Sequence, residues 1–166
     1  MMMDFIQLGI GRWLHIAAGV MWIGLLYYFN FVQVPAMADA GKDGTAAGIS
    51  KHVAPRALFW FRWAAVVTWL AGAMLLGKNF FNAFLFLNHA FYAIGVGAWL
   101  GTIMLFNVWV LIWPNQQKIL GMVQATDAEK ATARRVALLA SRTNTMLSIP
   151  MLFFMAAAGH QGIFFG

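Results

Sequence analysis

The chain contains no cysteine. That absence removes disulfide scaffolding, cysteine-ligated zinc, iron–sulfur clusters, thiol catalysis and covalent haem attachment through C-x-x-C-H. Acidic residues are almost as scarce, with five Asp and Glu against eleven Lys and Arg and a formal net charge of +6. None of the five falls inside a long apolar run, so a di-iron carboxylate site and a carboxylate proton relay are excluded. Charged residues make up only 10% of the chain, against roughly 25% in soluble domains. What fills the space is hydrophobic: 62% of 166 residues, with a mean hydropathy of +0.72. A soluble domain of ~150 residues still exposes about 30% of its unfolded surface and cannot hide that much apolar area. Composition therefore gives an all-α integral membrane protein, a single domain over 1–166, with room for about four spans.

A span needs ~20 mainly apolar residues. Four segments qualify: Leu8 to Phe31, Ala57 to Gly77, Phe81 to Trp113, and Asn144 to Gly159. The expected architecture is a four-transmembrane-helix bundle. The stretch from Pro35 to Pro55 is rich in Gly, Ala and Asp and reads as a loop with one short helix. Thr126-Asp127-Ala128-Glu129 has the form of a capping box, opening an amphipathic helix that runs through Arg142 into the last span.

Basic residues gather in two connections, Lys42, Lys51 and Arg56 in the first and Lys118, Lys130, Arg134, Arg135 and Arg142 in the second. With four spans these share one side, and the positive-inside rule makes that side cytoplasmic. The expectation is a multi-pass protein of a bacterial inner membrane with both termini periplasmic. No cleavable signal peptide is expected, since the first apolar run is long enough to span and has no small-residue site behind it. Contact with anionic lipid belongs to the same pattern. Nucleic acid is not an expected partner, because no basic patch outside the bilayer carries an aromatic platform. Trp13, Tyr27, Tyr28, Trp60, Trp63 and Trp113 fall near span ends, as interface belts do.

Polar groups at membrane depth are functional candidates. His52 lies in the first basic connection and reads as a surface residue. His15, His89 and His160 fall by this topology in the outer half of three different spans. Neutral imidazole suits haem iron and other transition metals, and helix assemblies build such sites from facing helices. The candidate metal ligands are thus His15, His89 and His160. Gly11 and Gly19, one turn either side of His15, would give clearance for a flat macrocycle. Haem b fits best, and copper is the lesser option. The competing reading for each histidine is a side chain hydrogen-bonded across helices. Arg62 reads either as a snorkelling cation or as an anchor for a propionate or anionic substrate. Asn88, Asn107 and Asn144 can bridge helices, and Asn144 joins the candidate cofactor-binding set. Gly97-x-x-x-Gly101 predicts close helix approach. Pro150 frees a backbone carbonyl within the last span.

The stretch Arg12-Trp13-Leu14-His15 through Gly19 to Trp22-Ile23-Gly24 resembles the first span of bacterial membrane-bound urate hydroxylases of the PuuD type. Asn107-Val108 through Pro114-Asn115-Gln116-Gln117-Lys118, and Asn144-Thr145 through Pro150-Met151-Leu152-Phe153-Phe154-Met155, are similar to two later blocks of that family. The chain would be a shortened relative with four spans in place of about eight, and without the C-terminal cytochrome c domain. A weaker resemblance runs to four-helix haem b proteins of the HemJ type. Both imply His15 as a haem or metal ligand. The resemblance implies a membrane redox protein that exchanges electrons with a periplasmic cytochrome c or a quinone and, if it keeps the family's activity, hydroxylates urate or a related purine. The alternative is a non-enzymatic accessory subunit packed on a larger respiratory or oxygenase complex. A homo-oligomer is compatible with either.

Overall fold

Inside a bilayer every backbone N–H and C=O needs an internal partner, and a continuous helix supplies one. The computed structural model, which describes residues 5–158, is helical apart from three short connections, with no strand among the described residues. Four long helices follow in order: α1 (Leu8–Lys42), α2 (Ala46–Phe84), α3 (His89–Ile119) and α4 (Asp127–Ala157). The first three are long and apolar enough to cross a membrane. The first half of α4 carries Asp127, Glu129, Lys130, Arg134, Arg135 and Arg142, and the last expected residue of the fourth span, Gly159, lies outside the described residues.

Proline explains the local geometry of α1 to α3. Its ring removes a backbone N–H and crowds the carbonyl four residues earlier. Pro35, Pro55 and Pro114 each follow a stretch of wider i→i+5 turns, at Tyr28–Gln33, Ile49–Val53 and Asn107–Ile112. The wide turns absorb the crowding and the helix continues. The segment from Pro35 to Pro55, expected as a loop, is therefore mostly helix. Only a short turn at Asp43 to Thr45 separates α1 from α2, with Gly44 at φ +73°.

The start of α3 also differs from expectation. The apolar run from Phe81 to Trp113 hides a reversal of the chain. Gly77, at φ +48°, puts a bend in α2, and Phe80–Phe84 resumes as its last turn. The chain turns at Phe86 (φ +53°), and extended Asn88 caps α3 by accepting a hydrogen bond from the Ala90 N–H at 2.9 Å. Hydropathy does not register such a turn, because Leu85, Phe86 and Leu87 are as apolar as a helix interior.

α1 packs along α2 and α3 along α4, with α2 against α3 and α1 against α4 joining the two pairs. Trp22, Leu26, Phe61, Ala65, Met104, Val108 and Met151 form the shared core. Small residues set the approach of α2 to α3. A Cβ on Gly95 would lie 2.3 Å from the Ala83 carbonyl oxygen. Of the Gly97-x-x-x-Gly101 pair, Gly97 faces Met155 at 3.2–3.4 Å, while nothing lies within 4 Å of a Cβ at Gly101.

Candidate functional site

His15 sits on the face of α1 that meets α2. Its Nδ1–H donates to the Thr68 carbonyl at 2.8 Å. Thr68 is buried and its own hydroxyl donates to the Ala64 carbonyl at 2.7 Å. One turn on, Gly72 makes the slot for the ring: a Cβ there would lie 3.0 Å from His15 Cε1 and 3.1 Å from Nδ1. A carbonyl can only accept, so this bond fixes the proton of the neutral ring on Nδ1. Nε2 is left as a lone pair with no hydrogen-bond partner among the described residues. The half-buried imidazole is thus held at one nitrogen and open at the other, as metal-ligating histidines are.

The two glycines beside it serve a different purpose from the one expected. A Cβ on Gly11 would lie 2.5 Å from Met74 Cε and 3.5 Å from Leu75 Cδ2, and one on Gly19 would lie 3.7 Å from Thr68 Cγ2. Both clearances are taken up by α2. The glycines bring the helices together and leave no macrocycle space on that face.

His15 and His89 do not share a depth. Trp69, next to Thr68, donates its Nε1–H to Thr102 Oγ1 at 2.8 Å and so levels the His15 end of α2 with Thr102 of α3. His89 stands thirteen residues before Thr102, roughly 20 Å along a helix axis. Two nitrogens on one metal ion each lie about 2 Å from it, so these two cannot share one. The reason is the displaced start of α3: His89 is its first residue, exposed, with its ring against Tyr92 at 4.4 Å. His160 lies outside the described residues. His52 is exposed, and its carbonyl accepts from Arg56. Among the described residues, no three His, Asp or Glu side chains come together.

Arg62 lies six residues before Thr68, toward the opposite end of α2. Its guanidinium carbon is 3.6 Å from the Trp113 ring centroid and 5.5 Å from that of Phe59. This cation is held between α2 and α3 by aromatic faces, at a distance from His15. Asn144 is fully buried. It accepts from Asn107 Nδ2 at 2.8 Å and donates to the Met104 carbonyl at 3.0 Å, clasping α4 to α3.

The sequence reading missed a matching ladder between α1 and α4. Asn30 Nδ2 donates to Ser141 Oγ at 2.8 Å. Tyr27 OH donates to Ser148 Oγ at 2.9 Å, since Ser148 spends its own proton on the Thr145 carbonyl. The signal was present: Ser141, Asn144, Thr145 and Ser148 recur at the i, i+3, i+4, i+7 spacing of one helix face. Two indole N–H groups, on Trp22 and Trp109, are buried without a partner among the described residues.

No curated protein matches the chain, and no solved structure does. Residues 79–166 match the urate oxidase N-terminal family, a stretch that takes in His89, Asn107 and Asn144 and leaves out His15 and Arg62. With more than half of its length matched, from the bend in α2 onward, the chain belongs to the urate oxidase N-terminal family.

Proposed function

We propose that the chain is a multi-pass oxidoreductase of the inner membrane, related in function to urate oxidation, that holds haem b near the periplasmic face with His15 as axial ligand through Nε2. Family membership supports the reaction class. The observation that carries the ligand assignment is the Nδ1–H bond from His15 to the Thr68 carbonyl, which leaves Nε2 free for iron. The fit is partial. The imidazole has the right tautomer and restraint, whereas Gly11 and Gly19 are filled by α2, so the macrocycle would lie on the open side of His15.

When bound, haem supplies reversible one-electron chemistry at a potential set by axial ligation and burial. The chain's own contributions are specific. The Thr68 carbonyl fixes ring orientation and raises the basicity of Nε2, Gly72 gives the ring its place, and α2 shields one side of the site from lipid. The last part of α4 supplies a fourth crossing in this reading. A periplasmic cytochrome c or a quinone is the proposed electron partner, and urate or a related purine the proposed substrate.

The test is an absorption spectrum of the detergent-purified chain. A Soret band that disappears in His15→Ala and survives in His89→Ala is the expected result. A colourless protein that co-purifies with respiratory or oxygenase subunits overturns the reading in favour of an accessory subunit.

A further inference from the structure

Two cations at the start of α2 have no acidic partner among the described residues. Lys51 is exposed and makes no side-chain bond among the described residues. Arg56 is exposed and donates to the His52 carbonyl, which leaves most of its guanidinium unused. Near the end of α1 Asp39 is already engaged by Lys42 at 2.9 Å. Lys51 and Arg56 line an open groove together with Pro55, Phe59 and Trp60, and no carboxylate enters it.

The groove's chemistry is graded along the helix. The cations stand at the polar end. Phe59 and Trp60 follow one turn inward, 46% and 55% exposed, packed edge to face at 5.6 Å. Trp63 extends the exposed aromatic strip by another turn. The strip lies near the start of a helix apolar enough to cross a membrane, where a headgroup layer is expected. A free phosphate would use the cations and leave the aromatic strip unexplained. A phospholipid uses both, with its charge at one end and its chains at the other.

We propose that this groove seats one anionic phospholipid, whose phosphodiester lies between Lys51 and Arg56 and whose acyl chain runs along Phe59, Trp60 and Trp63. Juxtamembrane Lys and Arg attract anionic headgroups, and aromatic side chains anchor at headgroup level. The site is independent of the haem reading, since it lies at the far end of α2 from Thr68.

The test is native mass spectrometry of the full chain released from nanodiscs of mixed phosphatidylcholine and phosphatidylglycerol. The wild type is expected to retain phosphatidylglycerol several-fold over its share in the disc. Lys51→Gln/Arg56→Gln should abolish that enrichment. Arg134→Gln/Arg135→Gln, which removes the same charge from exposed positions on α4, should keep it. Trp60→Ala should lower it with both cations intact. Equal retention of the two lipids overturns the proposal, as does equal loss in the two double variants. Enrichment that inorganic phosphate abolishes, or that Trp60→Ala leaves unchanged, would show a simple anion site and overturn it too. All substituted side chains are exposed, and circular dichroism of each variant checks that the helices remain.

Discussion

At His15 one bond determines what the residue can do. With the proton of the neutral ring held on Nδ1 by the Thr68 carbonyl, Nε2 is the atom available to a ligand. The arrangement depends on the missing side chain at position 72, because a Cβ there would crowd the ring at 3.0 and 3.1 Å. Gly72→Ala is therefore expected to displace the imidazole and break the bond. Nitrogen chemical shifts of labelled histidine in the purified protein would report it, as loss of the single Nδ1–H tautomer, whether or not haem is bound. A tautomer unchanged by the substitution would mean that the Thr68 carbonyl does not hold the ring. A second residue-scale expectation concerns Asn144. Asn144→Ala removes an acceptor from buried Asn107 and a donor from the Met104 carbonyl, at a cost of about 1–2 kcal/mol. Thermal unfolding in detergent should show a lowered midpoint. Asn144 was legible in the sequence as a polar residue in an apolar run. The partner of His15 was not, since nothing local indicates which of four helices supplies a backbone carbonyl.

The start of α4 was legible in full, because a capping box is a local device. Thr126 is extended, its hydroxyl accepts from the Glu129 N–H, and the Thr126 N–H and hydroxyl donate to the Glu129 carboxylate at 2.7 and 2.8 Å. The backbone bond first, then the hydroxyl bond, hold the Glu129 pKa below its ordinary value. A depressed carboxylate contributes stability that is present above its unfolded pKa and is lost as pH falls through the folded value. Acidification below about pH 4 should thus loosen the first turn of α4. Hydrogen exchange, expressed as protection relative to the free peptide rate, should show falling protection at that turn and none of that pH dependence in Glu129→Gln. Thr126→Ala should fray the same turn at all pH values, at about 1 kcal/mol. The start of α3 was the opposite case. The run from Phe81 to Trp113 has the length and hydropathy of one span, and the reversal at Leu85 to Asn88 rests on backbone conformations at Gly77 and Phe86 that composition does not encode. The error then carried into the site, moving His89 from an inferred depth inside a helix to its exposed first residue.

For the whole molecule, the side on which each connection lies follows from how many helices cross. α1, α2 and α3 are apolar enough to do so, and three crossings would put the turn near Gly44 and the connection near Gln124 on one side and the turn near Leu87 on the other. Lys and Arg residues gather near the first two, so the positive-inside rule predicts that their side is the cytoplasmic one. α4 is charged in its first half and apolar beyond Asn144. The charged half could rest along the interface, but buried Ser148, Asn144 and Met151 tie the apolar half to α1 and α3. Those contacts with two apolar helices make a fourth crossing the expected arrangement. A fourth crossing brings residue 161 to the side of Leu87. Three crossings leave it with Gln124. Because the chain has no cysteine, single Cys substitutions report position without a background. In intact cells, a membrane-impermeant maleimide is expected to label Leu87→Cys and Gln161→Cys and to spare Gly44→Cys and Gln124→Cys. Gln161→Cys protected together with Gln124→Cys would remove the fourth crossing. Labelling of Leu87→Cys would then still be the expected sign that the His15 end faces outward, because that turn joins α2 to α3.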